Sequence, residues 1–345
     1  MTKGHIPDNL WSSSQVREAL DRHPRCELGS CPTPLIPLER LGREVGRRIL
    51  LKRDDILGPA GGGNKTRKLE YLLAEALEKG MSRVVTVGGT QSNHARLTAA
   101  AARPLGLEAH LLLTGSPTGK ATGNLLLVQL LGATVHFIPP GPMADGRCGF
   151  DEFDAFVRMQ ASGRVGDHYH VPLGGSTGVG ALGYVRAALE IEEQAREAGV
   201  SDARVVLAAG SGGTLAGLWA GLQLIGSSLR PIGIDVGGFW NDFPGLVCRI
   251  ANDACHLLGA PSTFTAADTP LIESTYVGPG YAIPTSEGRA AAKKLAQTEG
   301  LLLDPTYTAK AFAALLELLP TGRLGENTPL IFWHTGGLPG LFAAK

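Results

Sequence analysis

From residue 82 onward, short apolar runs alternate with stretches of helical periodicity. The segments 82–89 (SRVVTVGG), 108–115 (EAHLLLTG) and 132–139 (GATVHFIP) are rich in β-branched and large apolar residues, and each ends in glycine or proline. Ala- and Leu-rich segments separate them. A stretch rich in Gly, Pro and Asp at 139–154 interrupts the rhythm, which resumes with DHYHVPLGG, ARVVLAAGSGG, LRPIGIDVGG and TPLIFWHTGG. Strands spaced by helices predict right-handed crossovers and parallel pairing. The interruption divides them into two open sheets with helices on both faces, an α/β architecture.

In parallel sheets a ligand sits beyond the carboxyl ends of the strands, where glycine lets the backbone approach and a helix start offers free N–H groups. Here such ends carry Gly88-Gly89, Gly174-Gly175, the run Gly210, Ser211, Gly212, Gly213, then Gly237-Gly238 and Gly336-Gly337. One device repeated this often predicts one cleft.

A length of 345 residues suits two domains or one large α/β unit. Lys+Arg and Asp+Glu both number 32, so no chain-wide field would hold nucleic acid or an anionic membrane. A start reading MTKGHIPDNLWSSSQ lacks the apolar core of a signal peptide, and no run approaches the roughly 20 apolar residues of a spanning helix. The expectation is a cytoplasmic protein. Cys26, Cys31, Cys148, Cys248 and Cys255 form no C-x-x-C pair, which predicts neither a disulfide framework nor a metal site.

Five constellations carry candidate chemistry. The segment GGGNKTRKLEYLLAEAL opens a helix on Asn64, Lys65 and Thr66 and nearly reads as G-x-x-x-x-G-K-[ST], but Asn64 replaces the glycine. The strand expected before such a loop is also poor, because Lys52, Arg53, Asp54 and Asp55 interrupt it. Alone, the segment reads as a solvated helix start with Lys65, Arg67 and Lys68 in water. In GGTQSNHARLTAAAA, Thr90, Gln91, Ser92, Asn93 and His94 begin an Ala-rich helix whose start suits capping or a small carboxylate. The run from Gly210 to a following Thr214 makes a cradle for a monophosphate, without the glycine spacing of a dinucleotide site. His334 reads as a core histidine, while Thr335 at the same strand end is placed to meet a ligand. Tyr281 lies in a glycine-proline loop and Tyr307 just before a helix.

Taken together and in order, GGGNKTRKLEYLLAEAL, GGTQSNHARLTAAAA, GSGGT, LLLDPTYTAK and HTGG resemble the D-cysteine desulfhydrase and 1-aminocyclopropane-1-carboxylate deaminase family. Its members are fold type II enzymes dependent on pyridoxal 5'-phosphate (PLP). The resemblance implies a Schiff base between Lys65 and the cofactor, with Asn64 beside it. It further implies that Asn93 meets the cofactor's phenolate oxygen and that Ser92, Asn93 and His94 bind the substrate carboxylate. Gly210, Ser211, Gly212, Gly213 and Thr214 would hold the phosphate, and Tyr281 and Tyr307 would be the two active-site tyrosines. Also implied are a large PLP-binding domain from residues 1–79 and 186–345, a small domain from 80–185, and a homodimer.

The two branches of that family differ where this chain has Thr308 and Thr335. The cyclopropane deaminases carry a glutamate after the tyrosine of Y-x-G-K and a leucine before the terminal Gly-Gly. Threonine at both places resembles the desulfhydrase branch, in which Thr335 would meet the pyridine nitrogen. A neutral hydroxyl makes the cofactor a weaker electron sink, which suits loss of a good leaving group from Cβ. The reading is a β-elimination lyase, D-cysteine going to pyruvate, sulfide and ammonia. An L-cysteate lyase is the alternative, followed by a cyclopropane deaminase. A binder without turnover is disfavoured by Lys65, Ser92, Tyr281 and Tyr307. The unmatched segments, including Phe239 and Trp240, are candidates for the substrate pocket.

Overall fold

A computed structural model describes residues 10–116, 120–144, 146–261, 264–270 and 272–343. Parts of two unmatched segments, residues 117–119 and 145, lie outside the described residues. Among the described residues, ten strands form two sheets. The larger contains β1 (Leu35–Pro37), β2 (Ile49–Arg53), β7 (Ala203–Ala209), β8 (Leu229–Asp235), β9 (Ile272–Glu273) and β10 (Leu330–His334), in the order β1-β2-β10-β7-β8-β9. The smaller contains β3 (Arg83–Gly89), β4 (Glu108–Thr114), β5 (Thr134–Ile138) and β6 (Tyr169–Val171), in the order β5-β4-β3-β6. Every pairing is parallel except β1 with β2.

Eleven α-helices accompany the sheets among the described residues. They are α1 (Ser13–Asp21), α2 (Glu39–Val45), α3 (Lys65–Glu78), α4 (Asn93–Ala102), α5 (Gly123–Leu130), α6 (Phe150–Ser162), α7 (Gly178–Glu197), α8 (Gly213–Leu224), α9 (Phe243–Leu258), α10 (Ser286–Glu299) and α11 (Thr308–Leu318). The α/β class with two mostly parallel open sheets is what the alternation predicted.

The first half of the charged segment 52–55 belongs to a strand, which ends at Arg53, and Asp54 and Asp55 open a short 3-10 turn. β2 runs through Lys52 in the interior of the larger sheet, paired on one side with β10 and on the other with β1. Lys52 is fully buried, and its ammonium donates to Thr33 O at 2.7 Å and to Gln194 Oε1 at 2.6 Å, and pairs with Glu190. Arg67, also buried, forms a fork onto Asp54, Nε to Oδ2 at 2.9 Å and Nη2 to Oδ1 at 2.8 Å, and reaches Glu190 as well. Two cations and two carboxylates thus compensate one another away from water. Removing one partner of such a cluster costs about 3–5 kcal/mol, because the other charge is left buried and unpaired.

This cluster positions the start of α3. Arg67 lies in the first turn of that helix and ties it to the end of β2 through Asp54 and to α7 through Glu190. Gly183 allows the close approach of α7, since a Cβ there would stand 2.1 Å from Arg67 O. Arg67 and Lys68 are therefore not in water, as their segment alone suggested. Lys68 is buried and donates to Gly174 O at 3.0 Å.

Candidate active site

The carboxyl ends of strands from both sheets converge on one cavity of about 380 Å³. Gly88, Gly89, Gly174, Gly210, Gly237, Gly238 and Gly336 all contribute to its wall, so the repeated glycine ends do meet in one place. Asn64, Lys65, Ser92, Asn93, His94, Ser211, Gly212, Thr214, Tyr281, Tyr307 and Thr335 line it too. Of the residues singled out in the sequence, Gly175, Gly213, Gly337, Trp240 and Thr308 do not line it.

Lys65 is the first residue of α3, and its amine lies 3.1 Å from Asn64 Oδ1. Burial lowers its pKa to about 8, with the Asp304 carboxylate opposing the shift and Arg96 adding to it. A lysine so placed supplies a neutral amine near physiological pH, the form that attacks a carbonyl. Asn64 turns its amide the other way and donates to Thr214 Oγ1 at 3.0 Å, which links the start of α3 to the start of α8.

At α8 the N-cap residue, Gly212, has no side chain with which to cap the helix. The N–H of Gly213 goes to Ser176 Oγ at 3.1 Å, and the first carbonyl bond runs from Ala216 N to Gly212 O. The N–H groups of Thr214 and Leu215 are left without an acceptor among the described residues. Gly212 takes a φ of 89°, and a Cβ on Gly213 would lie 2.9 Å from Lys68 Nζ. Free N–H groups, a helix dipole and a buried lysine make this an anion cradle. Burial and the nearby Lys65 hold the Lys68 pKa well below its ordinary value, so an anion at this point would favour its charged form. The sequence singled out the glycine run but not Lys68 or Ser176, whose partners lie more than 30 residues away.

The start of α4 is capped by Ser92, whose Oγ accepts from Ala95 N at 3.1 Å. Asn93 Oδ1 accepts from Asn124 Nδ2 at 2.9 Å. His94 is buried, its Nε2 2.7 Å from Thr86 Oγ1, and its Nδ1 has no partner among the described residues. Burial, reinforced by Lys65 and Lys68, keeps its pKa well below the usual histidine range.

Opposite stand the two tyrosines, hydrogen-bonded to each other through their hydroxyls. Burial raises the pKa of Tyr281 and drives that of Tyr307 well above its ordinary value, so both phenols keep their protons at neutral pH. Tyr307 precedes α11, whose start is closed by Asp304. That carboxylate accepts from the N–H groups of Thr306 at 3.0 Å, Tyr307 at 2.9 Å and Thr308 at 2.9 Å. The Thr308 hydroxyl also turns to Asp304, at 2.7 Å, and not to the cavity. Asp304 was not singled out in the sequence, although an aspartate just before a helix start is a legible capping signal. Thr335 lines the cavity, and its carbonyl accepts from Asn64 N at 3.0 Å. His334 is the expected core histidine, with Nε2 2.8 Å from Leu302 O.

Phe239 and Trp240 separate in function. Phe239 lines the cavity with its ring 4.5 Å from that of Tyr281. Trp240 turns away, buried against Phe150 and Phe153, and its Nε1 donates to Gly210 O at 2.9 Å. It braces the glycine turn from behind and does not line the pocket. Among the described residues, the wall holds no carboxylate, and its cations are Lys65 and Lys68.

A family model described as pyridoxal-phosphate dependent enzyme matches residues 27–336. A D-cysteine desulfhydrase of Klebsiella pneumoniae is 41% identical over 330 residues, 94% of this chain and 97% of that protein. A solved structure described as an ACC deaminase homologue superposes with a TM-score of 0.83 at 38% identity, covering 95% of this chain and 96% of the other. Escherichia coli diaminopropionate ammonia lyase shares the fold, with a TM-score of 0.66 at 20% identity over 98% of this chain and 91% of its own. A match of that extent, on a cavity that joins a buried amine to an open anion cradle, places the chain in the family of pyridoxal-phosphate dependent enzymes.

Proposed function

We propose that the chain is a PLP-dependent β-elimination lyase acting on D-cysteine. The residues present fit the cofactor. The cradle at α8 with Lys68 would take the phosphate, the Lys65 amine would join the aldehyde carbon, Asn93 would meet the ring oxygen and Thr335 the ring nitrogen. When bound, PLP withdraws electrons from the substrate Cα and so acidifies its proton. In the overall reaction D-cysteine and water give pyruvate, hydrogen sulfide and ammonia, the last by hydrolysis of released 2-aminoacrylate.

The protein's own groups supply the rest. Ser92 and the N–H groups of the α4 start would orient the substrate carboxylate. Lys65, neutral near pH 8, would hold the Cα proton. The paired Tyr281 and Tyr307, kept protonated by burial, suit proton donation to the departing sulfur. The observation that carries this reading is near-full-length similarity to a D-cysteine desulfhydrase, joined to a wall without a carboxylate near the pyridine position. The ACC deaminase homologue favours a second reading, cyclopropane opening. Thr308, spent on Asp304, supplies no acid group for it. Cysteate would bring a second anion, and beyond Lys65 and Lys68 the described wall has no cation to receive a sulfonate.

We further propose the domain division along the two sheets, a large unit from both ends of the chain and a small one around β3, β4, β5 and β6. A homodimer is supported by exposed apolar side chains on neighbouring elements, Leu126 and Leu130 of α5 with Leu338, Leu341 and Phe342 beside it. No helix among the described residues is long and apolar enough to cross a membrane. We retain the cytoplasm as the compartment, which suits the free cysteines.

The test is pyruvate and 2-oxobutyrate release from D-cysteine, L-cysteine, both cysteates and 1-aminocyclopropane-1-carboxylate. D-Cysteine should be turned over fastest, with sulfide released. Lys65→Ala should abolish turnover and the yellow colour that survives gel filtration. Faster release of 2-oxobutyrate from the cyclopropane acid would overturn the substrate assignment.

A further inference from the structure

The geometry points to Lys310 as a positioning residue that clips the Tyr281 loop onto the helix start carrying Tyr307. Lys310 is buried at 1% exposure in the first turn of α11, three residues after Tyr307. Its ammonium donates to Val277 O at 2.7 Å and to Gly280 O at 3.1 Å, the carbonyls just ahead of Tyr281. The loop has little else to hold it. Its only other backbone bond within 278–283 among the described residues is Ile283 N to Gly280 O, at 3.4 Å. It is also strained at Ala282, next to Tyr281, whose φ of 59° lies in the left-handed region. A side-chain-bearing residue in the left-handed region persists only where its surroundings enforce it.

One helix start therefore governs both phenols. Asp304 holds Tyr307 through its backbone N–H, and Lys310 holds the loop of Tyr281, so that the two hydroxyls meet and the Tyr281 ring rests on Phe239. Without the ammonium, two part-buried carbonyls lose their donor, the strained turn relaxes and Tyr281 leaves its partner. A hydrophobic replacement would fill the space but not the bonds. The inference rests on the proposed role of the tyrosines as proton donors to the leaving group.

Lys310 also borders a second cavity, of about 310 Å³, lined by Tyr276, Glu287 and Glu317 among others. A small added amine can reach the space left by Lys310→Ala through it, while Lys310→Met fills that space. In the holoenzyme, both variants should lose about 10- to 100-fold in kcat, the cost of a misplaced catalytic group, with KM and cofactor content little changed. Methylammonium should restore activity to Lys310→Ala and not to Lys310→Met. In cofactor-free protein, ultraviolet titration should show one more phenol ionising near pH 10 in both variants than in the parent. Unchanged kcat with an unchanged tyrosine titration overturns the proposal, as does a loss of activity that only follows loss of cofactor. Tyr281→Phe separates the two ideas. If it keeps full activity, the proton-donor reading fails, and the clip is judged on the titration alone.

Discussion

Two helices begin at the cavity wall with opposite electrostatics. α8 starts on Gly212 with no side-chain cap, leaving two N–H groups of its first turn open beside Lys68. α11 follows directly on a turn whose N–H groups, those of Thr306 and Tyr307 together with that of Thr308 at the helix start, are spent on the Asp304 carboxylate. Every helix start concentrates partial positive charge. One is left unsatisfied, which makes it an anion site at a cost to the empty protein. The other is neutralised internally, which makes it a rigid mount for a neutral side chain. An anion and a proton donor can thus face each other across one cavity without competing for the same groups.

Placing a carboxylate in the open start should remove the difference. Thr214→Asp puts a negative charge in the first turn of α8, where it favours the helix and can still accept from Asn64. The cofactor-free protein should melt no lower than the parent, while PLP affinity falls by about 100-fold or more through repulsion of the phosphate. Equal affinity by fluorescence titration would refute the cradle assignment. The reverse change opens the closed start. Asp304→Ala leaves three N–H groups and the Thr308 hydroxyl without their acceptor, and loss of a cap alone costs about 0.5–2 kcal/mol. Stability should fall accordingly in denaturant, and kcat should fall about tenfold as Tyr307 shifts, with PLP affinity nearly unchanged. A variant that instead lost PLP and kept kcat would show that the two starts are not independent.

The open start was legible in the sequence, because its glycines follow an apolar strand directly. Its lysine was not, since the Gly174 carbonyl that holds Lys68 belongs to a different strand end. β2 was misread for the same reason. Arg53 pairs with Asp55 close by, but Lys52 and the following Asp54 are neutralised by Glu190 and Arg67, more than 10 residues away, and local polarity cannot reveal such compensation. The strands β3, β4, β7, β8 and β10 were legible because each is an apolar run ended by glycine or a polar turn. Phe239 and Trp240 show where pattern reading stops. Adjacent aromatic residues point to opposite sides, one into the cavity and one behind Gly210, and only the fold decides which.

Lys65 gives the mildest test of the comparison, because it needs no mutation. A pKa of about 8 leaves roughly a tenth of its amine neutral at pH 7 and most of it neutral at pH 9. The rate at which cofactor-free protein acquires the PLP absorption band should rise about tenfold over that range and level off above pH 8. A rate still climbing toward pH 10 would mean an ordinary, solvated lysine. The same shift affects stability with a definite sign. The unfolded chain keeps its Lys65 proton up to the ordinary value of 10.5, whereas the folded chain gives it up near 8, so in that interval the unfolded state binds more protons and stability rises with pH. The cost of burying the ammonium is fully present below about pH 8 and gone above 10.5. Cofactor-free Lys65→Met should therefore resist denaturant better than the parent at pH 7, by a margin that narrows as the pH is raised. An equal margin at every pH would mean that packing, and not the buried charge, separates the two proteins.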